Sequence, residues 1–316
     1  MKIAVIGAGG LGGTFGGRLA RAGEEVHFVA RGRHLEAMRS SGLRVESIFG
    51  DFALAPAETR ATDDPTTIGP VDIVLFTVKS YDTDSAATAL APLVGPETAV
   101  ISLQNGIDNE ERIAAIIGVE HVVGGVAWIF AGITGPGVVR HTGGPARIAF
   151  GELDGRRSGR LETFLAACQH AAIPAEIADD IRVALWTKYA FICAQGGLTA
   201  ATRQPIGVIR NTPVTWAQFR AVVDEAVGIG RAEGVPLADD LVDLQLAAAE
   251  ALDPALFSSL HDDLVAGRRM ELDALLGELL RRAARAKVAI PTTAVVYAIL
   301  LPQANISRPE RTAGAR

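Results

Sequence analysis

The chain has 316 residues, 49% of them apolar, and a formal net charge of −6. That length suits one large or two ordinary domains with a sizeable core, and the apolar content excludes gross disorder. The acidic balance argues against a nucleic-acid surface, and two cysteines, Cys168 and Cys193, outside any C-x-x-C leave neither a disulfide framework nor a zinc site.

In chain order, Lys2-Ile3-Ala4-Val5-Ile6 reads as a buried parallel strand, an unbroken apolar run. It leads straight into Gly7-Ala8-Gly9-Gly10-Leu11-Gly12, a G-x-G-x-x-G loop. Gly7 allows a tight turn, Gly9 lets the backbone approach a pyrophosphate, and Gly12 lets the next helix pack close. Amides at that helix's start then face the phosphates. A helix over Thr14–Ala22 and a strand over Val26–Val29 complete a β-α-β unit, so dinucleotide binding is expected.

The residue after the second strand selects the cofactor. The strand ends in Ala30-Arg31-Gly32-Arg33, with no acid to hold ribose hydroxyls, and Glu24 and Glu25 lie at its other end. The planar, permanently charged guanidinium of Arg31, with Arg33 as a second candidate, suits the 2′-phosphate of NADP. The alternative is a pair of solvated loop arginines.

Core strands follow over Val71–Phe76 and Ala99–Leu103, with helices over Asp82–Leu90 and Asp108–Ile117. Short strands over Val122–Ala131, Gly137–His141 and Ala146–Phe150 suggest an antiparallel extension, closed by a helix over Leu161–Ala171. The alternation predicts an α/β fold, a Rossmann-type doubly wound sheet over residues 1–174. Helices are expected over Ile181–Ala201, Pro213–Glu233, Ala238–Glu250, Glu271–Ala286 and Thr292–Leu301. They give an all-helical substrate domain over residues 175–306, with a frayed polar tail at 307–316. The uncharged apolar stretch from Tyr189 to Ala201 is too short for a bilayer. Met1-Lys2 opens on a fold-forming strand rather than a signal peptide, so a cytoplasmic protein is expected. The six histidines are scattered and form no metal motif.

Lys79 directly follows the third core strand, where ligands of doubly wound sheets lie, although a surface lysine would also fit there. Asn105 follows the fourth, in Gln104-Asn105-Gly106. Asn-Gly is a common turn, and its amide also suits a nicotinamide carboxamide or a substrate oxygen. Lys188 is the only charge in the helix from Val183 to Ala201. It either snorkels outward or sits partly desolvated as a general acid with a lowered pKa. Ile192 and Gly196 lie one and two turns later, and the Gly196-Gly197 pair suggests a close approach. Gln195, the nearest amide, is one position off that row. Ser258-Ser259 starts a further helical stretch. Glu271 either favours a helix dipole or orients Lys188 or a substrate hydroxyl.

With these residues in place, the chain resembles the ketopantoate reductase family, from the glycine loop to about residue 302. The resemblance rests on Gly7 to Gly12, Arg31, Val78-Lys79-Ser80, Gln104-Asn105-Gly106, Trp186 with Lys188, Ser258-Ser259, and Gly267-Arg268 through Glu271 and Asp273. It implies NADPH-dependent reduction of a 2-oxo acid to a 2-hydroxy acid, with 2-dehydropantoate as the expected substrate. It further implies that Lys188 is the general acid, that Lys79 and Asn105 lie at cofactor and substrate, and that Ser259 and Glu271 contact substrate. At the two positions where well-known members hold substrate with asparagines, this chain has Ile192 and Gly196. The substrate is therefore open, and a related D-2-hydroxyacid dehydrogenase for branched or aromatic 2-oxo acids is the first alternative. An NADP-binding sensor without turnover is the second. No nucleic-acid or membrane partner is expected, and a homodimer is compatible with the sequence.

Overall fold

The computed structural model describes residues 1–304, and the tail expected at 307–316 lies outside them. The chain folds as two compact units, Met1–Leu185 and a second beginning at Trp186.

The first unit runs β1 (Lys2–Ile6), α1 (Gly10–Arg21), β2 (Glu25–Val29), α2 (Gly32–Ser41), β3 (Leu43–Ser47), β4 (Phe52–Leu54), β5 (Arg60–Thr62), β6 (Ile73–Phe76) and α3 (Thr83–Thr88). It continues with β7 (Ala99–Ser102), α4 (Asn109–Ile117), β8 (Val122–Gly135), β9 (Val138–Glu152), α5 (Gly159–His170) and β10 (Ala175–Ile177). One sheet has the order β4-β3-β9-β8-β7-β6-β1-β2-β5, with β10 pairing β9. The stretch β5-β2-β1-β6-β7-β8 is parallel throughout. That is the strand order of a dinucleotide-binding doubly wound sheet, reversing direction between β1 and β6.

The apolar run of β1 is buried because both faces of the sheet are covered. Ile3 and Val5 pack with Phe15 and Leu19 of α1, Met38 of α2 and Phe164 of α5. Ala4 and Ile6 turn the other way, toward Ala87 of α3, Leu90 just after it and Ile113 of α4. The antiparallel extension consists of β8 and β9, two long strands with bulges in their pairing, where the sequence suggested three short ones. Turn signals inside bulged strands read as breaks. β3, β4 and β5 carry no clear sequence pattern, being three to five residues long and only partly buried. β10 lies beyond Pro174 and belongs to this sheet, so the two units part inside the next helix rather than at residue 174.

That helix, α6 (Ile181–Thr202), is followed in the second unit by α7 (Ile206–Asn211), α8 (Pro213–Ala232), α9 (Leu241–Glu250), α10 (Ser259–Val265), α11 (Glu278–Ala286) and α12 (Pro291–Ala304). Residues Asp273–Gly277 form a π-helical turn where a plain α-helix was expected. Tyr189 is fully buried, set edge-on to Trp186 at 5.6 Å, and its hydroxyl donates to the carbonyl of Leu275 in that turn. The Glu225 carboxylate caps α12 by accepting from the amides of Thr292 and Thr293, each at 2.8 Å. Among the described residues no helix is long and apolar enough to cross a membrane.

Candidate active site

The sheet register gathers the N-terminal site residues. Ile6 pairs with Val29 and with Phe76, and Phe76 pairs with Ser102. The strands β2, β1, β6 and β7 therefore end level, and the segments carrying Arg31, Gly7–Gly12, Lys79 and Asn105 leave along one edge. Three strand spacings cover about 14 Å, a span suited to an extended dinucleotide.

The glycine loop is shaped by contacts a side chain would destroy. Gly7 has φ +96°, a left-handed conformation that favours glycine. A Cβ on Gly12 would lie 2.3 Å from the carbonyl oxygen of Gly7, and one on Gly10 would lie 2.4 Å from the backbone of Ala131. A Cβ on Gly9 meets no atom within 4 Å. The loop thus packs tightly against protein at Gly10 and Gly12 and faces open space at Gly9, which caps the N-terminus of α1. This matches a pyrophosphate lying against Gly9 and the first amides of the helix. Two braces had no sequence signal. The Thr77 hydroxyl donates to the Gly7 carbonyl at 2.7 Å. His34 Nδ1 accepts from the Gly137 amide at 3.1 Å, so its Nε2 carries the proton and donates to the Ala8 carbonyl at 2.8 Å. Such a bridging histidine must be neutral, and burial holds its pKa below the ordinary value.

Arg31 is the exposed N-cap residue of α2 in extended conformation, directly after β2. Glu24 at the far end of that strand is paired with the chain's amino terminus. Lys79 and Asn105 are each half-buried.

A buried polar chain joins the turns that carry Lys79 and Asn105. Gln104 Nε2 donates to the Val78 carbonyl at 2.9 Å and to the Thr83 hydroxyl at 2.8 Å. The Thr83 hydroxyl donates to Asn109 Oδ1 at 3.2 Å, and Asn109 Nδ2 donates to the Asn105 carbonyl at 3.1 Å. At its edge burial raises the Glu110 carboxyl to about 7, with the charges of Asp108 and Glu111 adding to the rise and its own amide and Ser102 opposing it. Gln104→Leu removes both donated bonds and leaves two acceptors buried. The expected loss is about 2–4 kcal/mol in denaturant unfolding, with weaker nucleotide binding by titration.

The second unit holds the other set. Lys188 sits in the second turn of α6 with an accessible edge, yet desolvation around its amine lowers its pKa from the ordinary lysine value to about 8. The negative charge of Glu271 acts against that fall, which places the carboxylate near the amine. Glu271 is buried just before the π-helical turn. The serine pair divides. Ser258 is buried, caps α10 by accepting from the His261 amide at 3.1 Å, and lies 2.6 Å from the Thr199 hydroxyl of α6. Ser259 is exposed at the start of α10. Ile192 is half-buried. The close approach expected at the glycine pair belongs to Gly197, whose Cβ would come 3.0 Å from Val296; at Gly196 the nearest atoms, on Leu260 and Leu275, stand at an ordinary 3.7 Å. Among the described residues no group of three or more His, Cys, Asp or Glu side chains could hold a metal ion.

The sequence profile described as "Ketopantoate reductase PanE/ApbA" matches residues 3–155, and "Ketopantoate reductase PanE/ApbA C terminal" matches residues 180–303. The chain belongs to the ketopantoate reductase family. A 2-dehydropantoate 2-reductase of Caulobacter vibrioides is 36% identical over 95% of this chain and 98% of its own. The crystal structure of 2-dehydropantoate 2-reductase from Geobacter metallireducens superposes with a TM-score of 0.90 at 34% identity, covering 96% of this chain and 99% of that one. A D-mandelate dehydrogenase has the same fold, with a TM-score of 0.88 at 20% identity over 96% of this chain and 98% of that one. As a member of the ketopantoate reductase family the protein is an oxidoreductase.

Proposed function

We infer that the protein reduces a 2-oxo acid to a 2-hydroxy acid with NADPH, and that ketopantoate is the substrate to which the names of its relatives point. The carrying observation is Lys188, an amine lowered to about 8 with Glu271 near it. A lysine in that range is both protonated at neutral pH and able to give up its proton, as a general acid must. When bound, the reduced nicotinamide supplies a hydride for C2 of the substrate. Lys188 then delivers its proton to the oxygen that had been the C2 carbonyl, and the neutral amine recovers a proton from solvent. Gly7, Ala8, Gly9, Gly10, Leu11 and Gly12 hold the pyrophosphate, Arg31 the 2′-phosphate, and Lys79 and Asn105 the nicotinamide side. Ser259 and Glu271 contact substrate, and Ile192 and Gly196 line the substrate region.

The test is a panel of ketopantoate, 2-oxoisovalerate and phenylglyoxylate with NADPH and with NADH. Ketopantoate turning over fastest supports the reading. Preference for phenylglyoxylate supports a D-2-hydroxyacid dehydrogenase acting on bulky 2-oxo acids, which the apolar Ile192 favours. Tight NADPH binding without turnover of any would mark a sensor. In the same assay Arg31→Asp should lower kcat/KM for NADPH by about 10–100-fold and change that for NADH little, since it removes a charge-assisted contact only the 2′-phosphate can make. Equal performance of both nucleotides in the unaltered protein would remove Arg31 from this role.

A further inference from the structure

Gln195 combines two properties that point to a ligand. It is only 4% exposed, and its side-chain nitrogen Nε2 is buried with no hydrogen-bond partner. Buried amide donors are nearly always satisfied, so one that the protein leaves unpaired is a place where an acceptor fits. The residue also lies on the lysine's own face of α6. Seven residues along a helix bring a side chain back to within about 20° of its starting direction and about 10.5 Å further along the axis. Ile192 and Gly196 diverge from Lys188 by about 40° and 80°, so the amide judged one position off their row is the better aligned with the amine. Helical side chains lean toward the N-terminus, so Gln195 leans back over the turn that carries Ile192 and toward Lys188.

The position is also anchored. The Gln195 carbonyl accepts from the Thr199 hydroxyl at 2.6 Å, and Thr199 lies 2.6 Å from Ser258, the cap of the helix that Ser259 begins. Ser259 and Gln195 are thus tied to one buried hydroxyl pair. The turn of α6 between the two carries Phe191 and Ile192, both apolar and half-buried. An amine and an amide two turns apart, separated by apolar surface, suit a short molecule with a reacting oxygen at one end, aliphatic carbon in the middle and an acceptor oxygen at the other.

We propose that Gln195 is a specificity-determining residue, its side-chain nitrogen donating to an oxygen at the distal end of a short branched 2-oxo acid while Lys188 meets the 2-oxo group. This rests on the reductase reading. It requires preference for a substrate with a distal hydroxyl over one with a plain branched or aromatic end.

The experiment compares ketopantoate with 3,3-dimethyl-2-oxobutanoate, which lacks only the 4-hydroxyl, in NADPH oxidation by the full chain and by Gln195→Leu and Gln195→Met. The expected result is that the unaltered protein prefers ketopantoate by about tenfold or more. Both variants should lose most of that preference through KM, with the pH profile set by Lys188 unmoved. Either apolar side chain removes a buried unpaired donor, so folding should be unharmed and thermal melting checks it. An unaltered preference in the folded variants overturns the proposal, as does a loss of kcat equal for both substrates. If the unaltered protein turns over both compounds without preference, the Gln195 assignment falls and the reductase reading stands. If it turns over neither, the reading itself falls and takes the assignment with it.

Discussion

Lys188→Ala should lower kcat for 2-oxo acid reduction by about 10²–10⁴-fold while NADPH binding, followed by fluorescence titration, stays near normal. Lys188 belongs to the second unit and the glycine loop to the first, so the substitution leaves the loop's own contacts intact. The pH profile gives an independent reading. With its pKa lowered to about 8, the amine carries its proton below that pH and has lost it above. Reduction should therefore slow as pH rises through about 8, and the reverse oxidation, which needs the neutral amine, should quicken across the same interval. The limb should vanish in Lys188→Ala. Lys188→Arg should also stay slow and lack the limb, because a guanidinium holds its proton throughout. Glu271 works against the desolvation, so Glu271→Gln should move the limb to lower pH. Near-normal turnover in Lys188→Ala, or a limb that survives it, would take the lysine out of the reaction.

What could be read from the sequence followed from pattern length and burial. β1 and its loop were legible because a parallel strand covered on both faces must be continuously apolar, and the glycine spacing has steric reasons that the left-handed φ of Gly7 and the contact at Gly12 bear out. The longer helices of the second unit, α6, α8, α9, α11 and α12, were legible because each runs for at least nine residues without a break. Residues 32–70 were not: α2 buries only Leu35 and Met38, and the three strands after it are too short for an alternation to register. α7 and the π-helical turn were missed because a six-residue helix and a single widened turn leave no periodicity of their own, whereas the start of α10 was announced by Ser258-Ser259. The braces at Thr77 and His34 form across chain separations of 70, 26 and 103 residues, where no local spacing can announce them. Ser258 and Ser259 looked equivalent in sequence, and only the hydroxyl contact with Thr199 gives one a packing role and leaves the other exposed.

The glycines allow the nucleotide site to be separated from the fold it is built on. Gly12→Ala should unfold the loop: its Cβ would sit 2.3 Å from the Gly7 carbonyl, 2.5 Å from the Thr77 hydroxyl and 2.8 Å from Val5, and two of these neighbours are themselves fixed by the sheet. Relief requires α1 to move off β1, and core overpacking of this kind costs about 1–3 kcal/mol or more. Melting temperature and NADPH affinity should fall together. Gly9→Ala presents the opposite case. Its Cβ meets nothing in the protein within 4 Å, and the residue's extended backbone is open to any side chain, so stability should hardly change. The methyl would instead occupy the space beside the first amides of α1, where a phosphate must come close. NADPH affinity should then drop by about tenfold or more at unchanged melting temperature, since a phosphate pushed out of hydrogen-bond range forfeits charge-assisted contacts of about 1.5–3 kcal/mol each. Binding lost without stability at Gly9, and both lost at Gly12, is the signature of a loop whose inner surface is packed for the protein and whose outer surface is kept bare for the ligand. If Gly9→Ala binds NADPH as well as the unaltered chain, the pyrophosphate does not lie against Gly9 and the assignment of the loop is wrong.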